Sequence, residues 1–373
     1  MSKYLNIEEG TLQAQNGYWT ACEIAQQPAM WAKVSQIIEG ARTDIDAWLK
    51  PILSQTSLRI ILTGAGTSAY AGEALAPYLT KNLGRKVEAI STTDLVSNPD
   101  EHFLAQVPTL LISYARSGNS PESVGACELA DQLLTTCFHL VITCNKTSAL
   151  SSHAAQNNNG YCLLMPEPTL DQSFAMTSSF TSMMLATLCV FAPDHIQTTS
   201  AINTSQAILN HELEQIQEQA QSNFSRIVFL GSGGLLGIAT EAKLKMLELS
   251  AGKIDCYAES PLGFRHGPKF TINRNTMVVM LHSNHPYRVQ YDKDLLNELI
   301  KDRQTAHIYS PNDLRPLANS DLEDVWLSFP YIVYCQLLAF YKSISLDLTP
   351  DNPCPSGEVN RVVQGVAIHP FED

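Results

Sequence analysis

The chain has 373 residues, 45% of them apolar and 16% charged, with a formal net charge of −13. That length accommodates two domains of ordinary size, and the balance is that of a well-buried globular protein, not a disordered one. The negative charge argues against a broad nucleic-acid or anionic-membrane surface, so an anionic ligand must be held by local donors against the overall field.

From the N-terminus, Met1–Glu9 offers neither a basic n-region nor an apolar h-region, and no apolar run approaches the ~20 residues that span a bilayer. Residues 1–50 then place Trp19, Ile24, Met30, Trp31, Val34, Ile37, Ile38, Ile45 and Trp48 at helical spacing, with Pro28 and Gly40 as interruptions. This predicts an N-terminal helical arm packed on the main body or on a partner.

Two serine- and glycine-rich turns come next, Gly64–Ser68 (Gly-Ala-Gly-Thr-Ser) and Arg116–Ser120 (Arg-Ser-Gly-Asn-Ser). Each follows a short apolar run, Arg59–Thr63 and Thr109–Ser113, of the length of a buried parallel strand, and each leads into a helical pattern. A strand, a Gly/Ser turn and a helix N-terminus together present backbone N–H groups and hydroxyls to an anion. Such turns also serve plain helix capping in many α/β proteins. Two of them on strands of one sheet favour binding, with Thr67, Ser68, Ser117 and Ser120 as phosphate ligands, the amides of Gly66 and Gly118 assisting, and Arg116 either a charged donor or a surface residue. Gly64–Ala69 also satisfies G-x-G-x-x-G/A, with Asp94 as a ribose acid, but that pattern is weak alone and the second turn favours a monophosphate.

The rest reads as a duplication. Strands are expected to begin near Arg59, Lys86, Thr109, His139 and Tyr161, and again near Arg226, Lys253, Thr276, Thr305 and Val325; the first three pairs share an offset of 167. Gly64 and Gly66 map onto Gly231 and Gly233 at that same offset. Helical patterns lie between the strands, and alternation of this kind predicts α/β units, each a mainly five-stranded parallel sheet between helical layers. The expected division is 1–50 for the arm, 51–205 for the first unit and 206–373 for the second, with a linking helix near Met176–Ala192 and an irregular polar connection over Pro193–Ser205.

The halves differ in chemistry. The second has lost the Ser-Gly at His282–Tyr287, but carries Glu241, Lys245 and Glu248 at i, i+4 and i+7 on one helix face, and His266 before Gly267-Pro268 in a loop. A solvated, ion-paired stripe is the plain reading of that helix. Its position after the Gly231–Gly234 turn instead suggests a desolvated carboxylate facing a ligand crevice. The nine cysteines form no C-x-x-C pair and the ten histidines no short-spaced cluster, so core-filling thiols, a cytoplasmic setting and no metal are expected.

These residues resemble the SIS (sugar isomerase) domain family. The first half carries its G-x-G-T-S and Ser-Gly-x-Ser loops and a Thr177–Thr181 stretch; the second carries Leu230–Gly233, the helix ending Leu247–Ser250 and the loop His266–Pro268. The closer likeness is to the AgaS-type group, through Asp171–Phe180, Ser260–Pro268 and Pro350–Val366. The resemblance implies two tandem SIS-type three-layer αβα units and an isomerase-deaminase acting on galactosamine 6-phosphate without a cofactor. It implies Glu248 as the base that moves a proton between C2 and C1 and His266 as the group that opens the sugar ring. That histidine can come from a neighbouring subunit, which implies a homo-oligomer with shared sites. The related glucosamine-6-phosphate synthase has a C-terminal lysine; here that region holds Arg361 and Gln364, and no lysine follows Lys342, so the synthase's amino transfer does not carry over. Lys245, Arg361 and Gln364 are left as candidate substrate contacts. The alternatives are a ketose/aldose isomerase without deamination and a non-catalytic sugar-phosphate sensor.

Overall fold

The computed structural model describes residues 2–363 and 365–372. Helices α1 (Tyr18–Ala25), α2 (Gln27–Gly40) and α3 (Arg42–Leu53) follow a two-residue hairpin of Lys3–Tyr4 with Ile7–Glu8. The chain then separates into two compact units. The leading unit comprises Ala29–Asp171, Ser178–Pro193 and the tail from Gly357; the trailing unit comprises the chain up to Pro28, Gln172–Thr177 and Asp194–Ser356. The sequence-based boundaries at 50 and 205 fall elsewhere because the arm divides. In the trailing unit α1 brings the Glu23 carboxylate to the Ser173 hydroxyl, whereas in the leading unit Trp31 Nε1 donates to Thr181 Oγ1 at 2.9 Å.

The leading sheet contains β1 (Arg59–Thr63), β2 (Val87–Ala89), β3 (Thr109–Ala115), β4 (Cys137–Thr143) and β5 (Gly160–Leu164), all parallel, in the order β2-β1-β3-β4-β5. Side chains alternate across it. Ile61, Leu111 and Val141 face one core with α5 (Pro121–Leu133) and α6 (Ala149–Gln156). Leu62, of opposite parity, lies under Gly72 of α4 (Thr67–Leu83), and α4 in turn packs on α7 (Ser178–Phe191). The sheet is therefore covered on both faces, as its continuous apolar strands require.

The trailing unit begins with α8 (His195–His211), where an irregular connection was expected. The sequence there is polar, but Asp194 caps it by accepting from Gln197 N at 2.9 Å, and a narrow stripe of Thr198, Ala201, Ser205 and Ile208 is buried. After α9 (Leu213–Gln221), strands β6 (Arg226–Gly231), β7 (Asp255–Glu259), β8 (Thr276–Leu281) and β9 (His307–Tyr309) pair in the parallel order β9-β8-β6-β7. Helix α10 (Gly234–Leu249) packs on β6 and β7, and α11 (Arg288–Asp302) supplies Leu295 and Leu299 to the core of Val228, Leu230, Val278 and Met280. This sheet has four strands, not five. The fifth, expected near Val325, is the start of α12 (Asp324–Ser345), whose residues Val325–Ser343 are all buried. A helix enclosed all round shows no amphipathic period, so its apolar run reads like strand sequence.

The duplication is visible in the turns themselves. Gly66 caps α4 with φ/ψ of 54°/−125°, and Gly233 caps α10 with 58°/−127°. Side-chain-bearing residues almost never adopt that region, so glycine is demanded at both positions. Among the described residues no helix is long and apolar enough to cross a membrane.

Candidate active site

In the leading sheet β2 and β3 lie on opposite sides of β1, so the strand order reverses between β1 and β3. Crevices outside the C-terminal strand ends at such a reversal are where open α/β sheets bind ligands. The turn after β1 is Gly64–Ser68 and the turn after β3 is Arg116–Ser120, so the structure brings both predicted phosphate turns to this one place. Thr67 and Ser68 are buried at the first turn of α4, and Ser120 is the N-cap of α5, its hydroxyl donating to Ser123 Oγ at 2.7 Å. Among the described residues the amides of Gly66, Gly118 and Ser120 donate to no protein acceptor. Free amides at a helix N-terminus suit a phosphoryl group.

The segment after β4 holds the second turn in place. Asn145 Nδ2 donates to the Ser117 carbonyl at 2.9 Å, the Ala149 amide to Asn119 Oδ1 at 2.8 Å, and the Leu150 amide to the Gly118 carbonyl at 3.1 Å. Gly118 has φ of +64°, and a Cβ there would sit 2.5 Å from Ser148 Oγ. Gly118→Ala is therefore expected to displace the turn, raising KM for a sugar phosphate at least about tenfold at a stability cost of roughly 1–3 kcal/mol. Steady-state kinetics together with thermal unfolding check this; a folded variant with wild-type KM removes the turn from the site.

Arg116 is not a surface arginine. It is 6% exposed and donates to the Arg361 carbonyl at 2.6 Å, while the Arg361 guanidinium donates to the Asp171 carbonyl. The tail continues over α5, where Gln132 Nε2 reaches the Phe371 carbonyl at 2.9 Å. Arg361 thus belongs to the unit of the two predicted phosphate turns, although its sequence position suggested the second unit. Gln364 lies outside the described residues. Asp171, named in the sequence only as the first residue of a family-like stretch and given no role there, is fully buried and receives Ser178 Oγ at 2.5 Å and Ser179 N at 2.9 Å, so it anchors the start of α7.

The equivalent place in the trailing sheet, between β6 and β8, is already filled. The Asp292 carboxylate accepts from Ser232 Oγ at 3.0 Å and from Ser283 N at 2.8 Å. Subtracting 167 puts Ser232 at Ala65 and Ser283 at Arg116, so an internal carboxylate is bound at positions that belong to the two turns in the leading unit. Burial pushes the Asp292 carboxyl above its usual range, and the hydrogen bonds from Ser283 and Ser232 oppose that. No local sequence pattern marked Asp292 for this role.

The titratable groups of the trailing unit cluster on α10. The side chains of Glu241 and Lys245 are fully buried and that of Glu248 is 19% exposed; Lys245 Nζ lies 3.4 Å from Glu241 Oε1 and 2.5 Å from Glu248 Oε2. This is a buried carboxylate–ammonium–carboxylate row, not a solvated stripe. Glu248 lies in the last turn of the helix that Gly233 caps, about 21 Å beyond its first residue, Gly234, at 1.5 Å per residue. The expectation that it faces the crevice at the C-terminal edge of its own sheet is therefore corrected: a helix that follows a strand runs back antiparallel to it.

His266 lies in an exposed loop beyond Pro261–Phe264, followed by Gly267 with φ of +120°. Arg265 Nε donates to Glu298 at 2.9 Å and Lys269 pairs with Glu298 and Asp302, so the loop is clamped to α11 while the imidazole makes no hydrogen bond among the described residues. Beside it, Phe270 is 97% exposed.

With this geometry in hand, comparison with known proteins gives a consistent result. The SIS domain profile matches residues 52–193. The chain is 50% identical over 363 residues to D-galactosamine-6-phosphate deaminase AgaS of Shewanella sp. (strain ANA-3), covering 96% of this chain and 94% of that protein. It is 45% identical to the protein of the same name from Escherichia coli, covering 96% and 97%. Among solved structures, tagatose-6-phosphate ketose/aldose isomerase from Escherichia coli superposes with a TM-score of 0.89 at 42% identity, over 98% of this chain and 99% of that one.

Proposed function

We propose, since this chain belongs to the AgaS family of SIS-domain proteins, that it converts galactosamine 6-phosphate to tagatose 6-phosphate and ammonia. The chain is an enzyme of the sugar-phosphate isomerase and deaminase class. The observation that carries the reading is the chemical asymmetry of two like folds. One switch point keeps Gly66, Gly118 and Ser120 amides free beside Thr67, Ser68, Ser117 and Arg116, while the other is closed by Asp292.

In this mechanism the leading unit's turns hold the phosphoryl group, and Arg361, whose carbonyl accepts from Arg116, is a further substrate contact. His266 assists ring opening by moving the proton between O1 and O5, which exposes the C1 aldehyde. Glu248 takes the C2 proton, the C1 carbonyl becomes a hydroxyl, and an enolamine forms. Return of that proton to C1 gives a C2 iminium, which water hydrolyses to the ketone and ammonia. Each step needs a group that exchanges a proton near working pH, which a carboxylate and an imidazole provide. Lys245, fully buried against Glu248, acts as a positioning residue and not as the direct substrate contact first considered. An exposed His266 beside the exposed Phe270 supports a homo-oligomer in which the loop serves a neighbouring subunit. Nine free cysteines suit a cytoplasmic setting.

The name of the Escherichia coli structure favours a second reading, isomerisation of the non-aminated sugar phosphate by the same residues. Assays of ammonia and ketose phosphate on a panel of hexose and hexosamine 6-phosphates decide between them. The expected result is stoichiometric ammonia and ketose from galactosamine 6-phosphate; ketose–aldose interconversion without ammonia release from any amino sugar would overturn deamination.

A further inference from the structure

A second group of chemistry-bearing side chains lies in the leading unit, on the sheet face covered by α5 and α6. Cys127 and Asp131 are one turn apart on α5, His139 projects from β4, and His153 comes from α6. One donor atom from each of Cys127, His139 and His153 lies within 4.8 Å of the others. We propose that these three residues form a transition-metal site of the zinc class, with Asp131 as the outer partner that orients both imidazoles.

The hydrogen bonds give the site its direction. His139 Nε2 and His153 Nε2 each meet one oxygen of Asp131, at 2.8 Å and 2.7 Å. Both Nδ1 atoms are buried and have no hydrogen-bond partner. A metal-ligating histidine commonly donates its other ring nitrogen to a carboxylate, which fixes the tautomer and leaves the remaining lone pair for the metal. An orphaned buried nitrogen otherwise costs about 1–3 kcal/mol, and here two occur in one cluster beside a thiol. His139 is fully buried, and burial holds its pKa below the ordinary value, so it is neutral, the ligating form.

The donor set decides the class of ion. One thiol and two imidazoles select zinc or a similar borderline-soft ion over magnesium or calcium, which take oxygen donors. Tetrahedral zinc, with nitrogen at ~2.1 Å and sulfur at ~2.3 Å, separates its donors by roughly 3.5 Å, so donors within 4.8 Å of one another must close by about 1.3 Å at most. Burial pushes the Cys127 thiol up to about 12, so an ion must displace its proton on binding. The fourth position is left to water. His153 sits on α6, whose first residue holds Asn119 of the phosphate turn, so occupancy would stiffen that support.

Spacing did not announce this site. The ligands come from a helix, a strand and a second helix, with no short repeat among them. The test is to strip the full-length protein with chelator, then titrate it with Zn²⁺ and, separately, Co²⁺. The expected result is about one equivalent bound, release of the thiol proton, a raised unfolding temperature with Zn²⁺, and a thiolate-to-cobalt charge-transfer band. Cys127→Ser should abolish that band. His153→Asn, at a partly exposed position and therefore tolerated by the fold, should weaken binding at least about tenfold. Binding of less than about 0.1 equivalent by folded wild-type protein would overturn the proposal, as would a cobalt complex lacking the band or one unchanged by either substitution.

Discussion

Glu248→Gln is expected to lower ammonia release from galactosamine 6-phosphate by roughly a thousandfold while leaving KM within a few-fold of wild type. Glutamine keeps the length and shape of the side chain but cannot accept the C2 proton, and general acid–base groups contribute about 10²–10⁴ to rate. The substitution removes one of two carboxylates beside Lys245 and leaves Glu241, 3.4 Å from the ammonium, to balance it, so the fold should persist. A second readout separates chemistry from damage. In heavy water the wild type should place deuterium at C1 to the extent that the proton held by Glu248 exchanges with solvent before its return, and the variant should place none. Wild-type ammonia release by a folded Glu248→Gln protein removes Glu248 from the mechanism and leaves the phosphate turns unaffected as a proposal.

The contrast between what was and was not legible in the sequence has a physical basis. The Gly64–Ser68 and Arg116–Ser120 turns were readable as turns because their geometry is local: the strand, the turn and the helix start are contiguous, and residue type reports φ/ψ and donor chemistry directly. The offset that maps Gly66 onto Gly233 was readable for the same reason, and the two dihedral pairs agree within a few degrees. Features that depend on what packs against what were not readable. The helix at Asp324–Ser345 is enclosed on every side and lost its period, and the His195–His211 helix buries too few apolar residues to display one. Nothing near Asp292 in the chain says that its carboxylate will meet Ser232 and Ser283, and nothing near Arg361 says that the tail returns to Arg116. The Glu241–Lys245–Glu248 row lies between these cases. Its spacing was plain, but whether it was solvated or buried depended on tertiary structure.

Lys245→Met should destabilise the protein by about 3–5 kcal/mol, which for a unit of this size lowers the unfolding temperature by roughly 10 °C. Methionine fills much of the lysine's volume, so the loss is electrostatic. It strips the ammonium from between Glu241, which is fully buried, and Glu248, which is nearly so, and leaves two carboxylates with no cation from this position. Breaking a buried ion pair costs more than the pair's net worth, because the stranded charge keeps its desolvation penalty. A compensating change follows from the same reasoning. Glu241→Gln combined with Lys245→Met should recover most of the lost stability, since the buried row then carries a single carboxylate at its more exposed end. The double variant should still deaminate poorly, because Glu248 has lost the ammonium that positions it. Thermal and denaturant unfolding of both variants, with ammonia release measured on the same samples, check the pair. Stability and activity recovering together would show the row to be structural alone, whereas recovered folding with absent turnover supports Lys245 as the residue that positions the base.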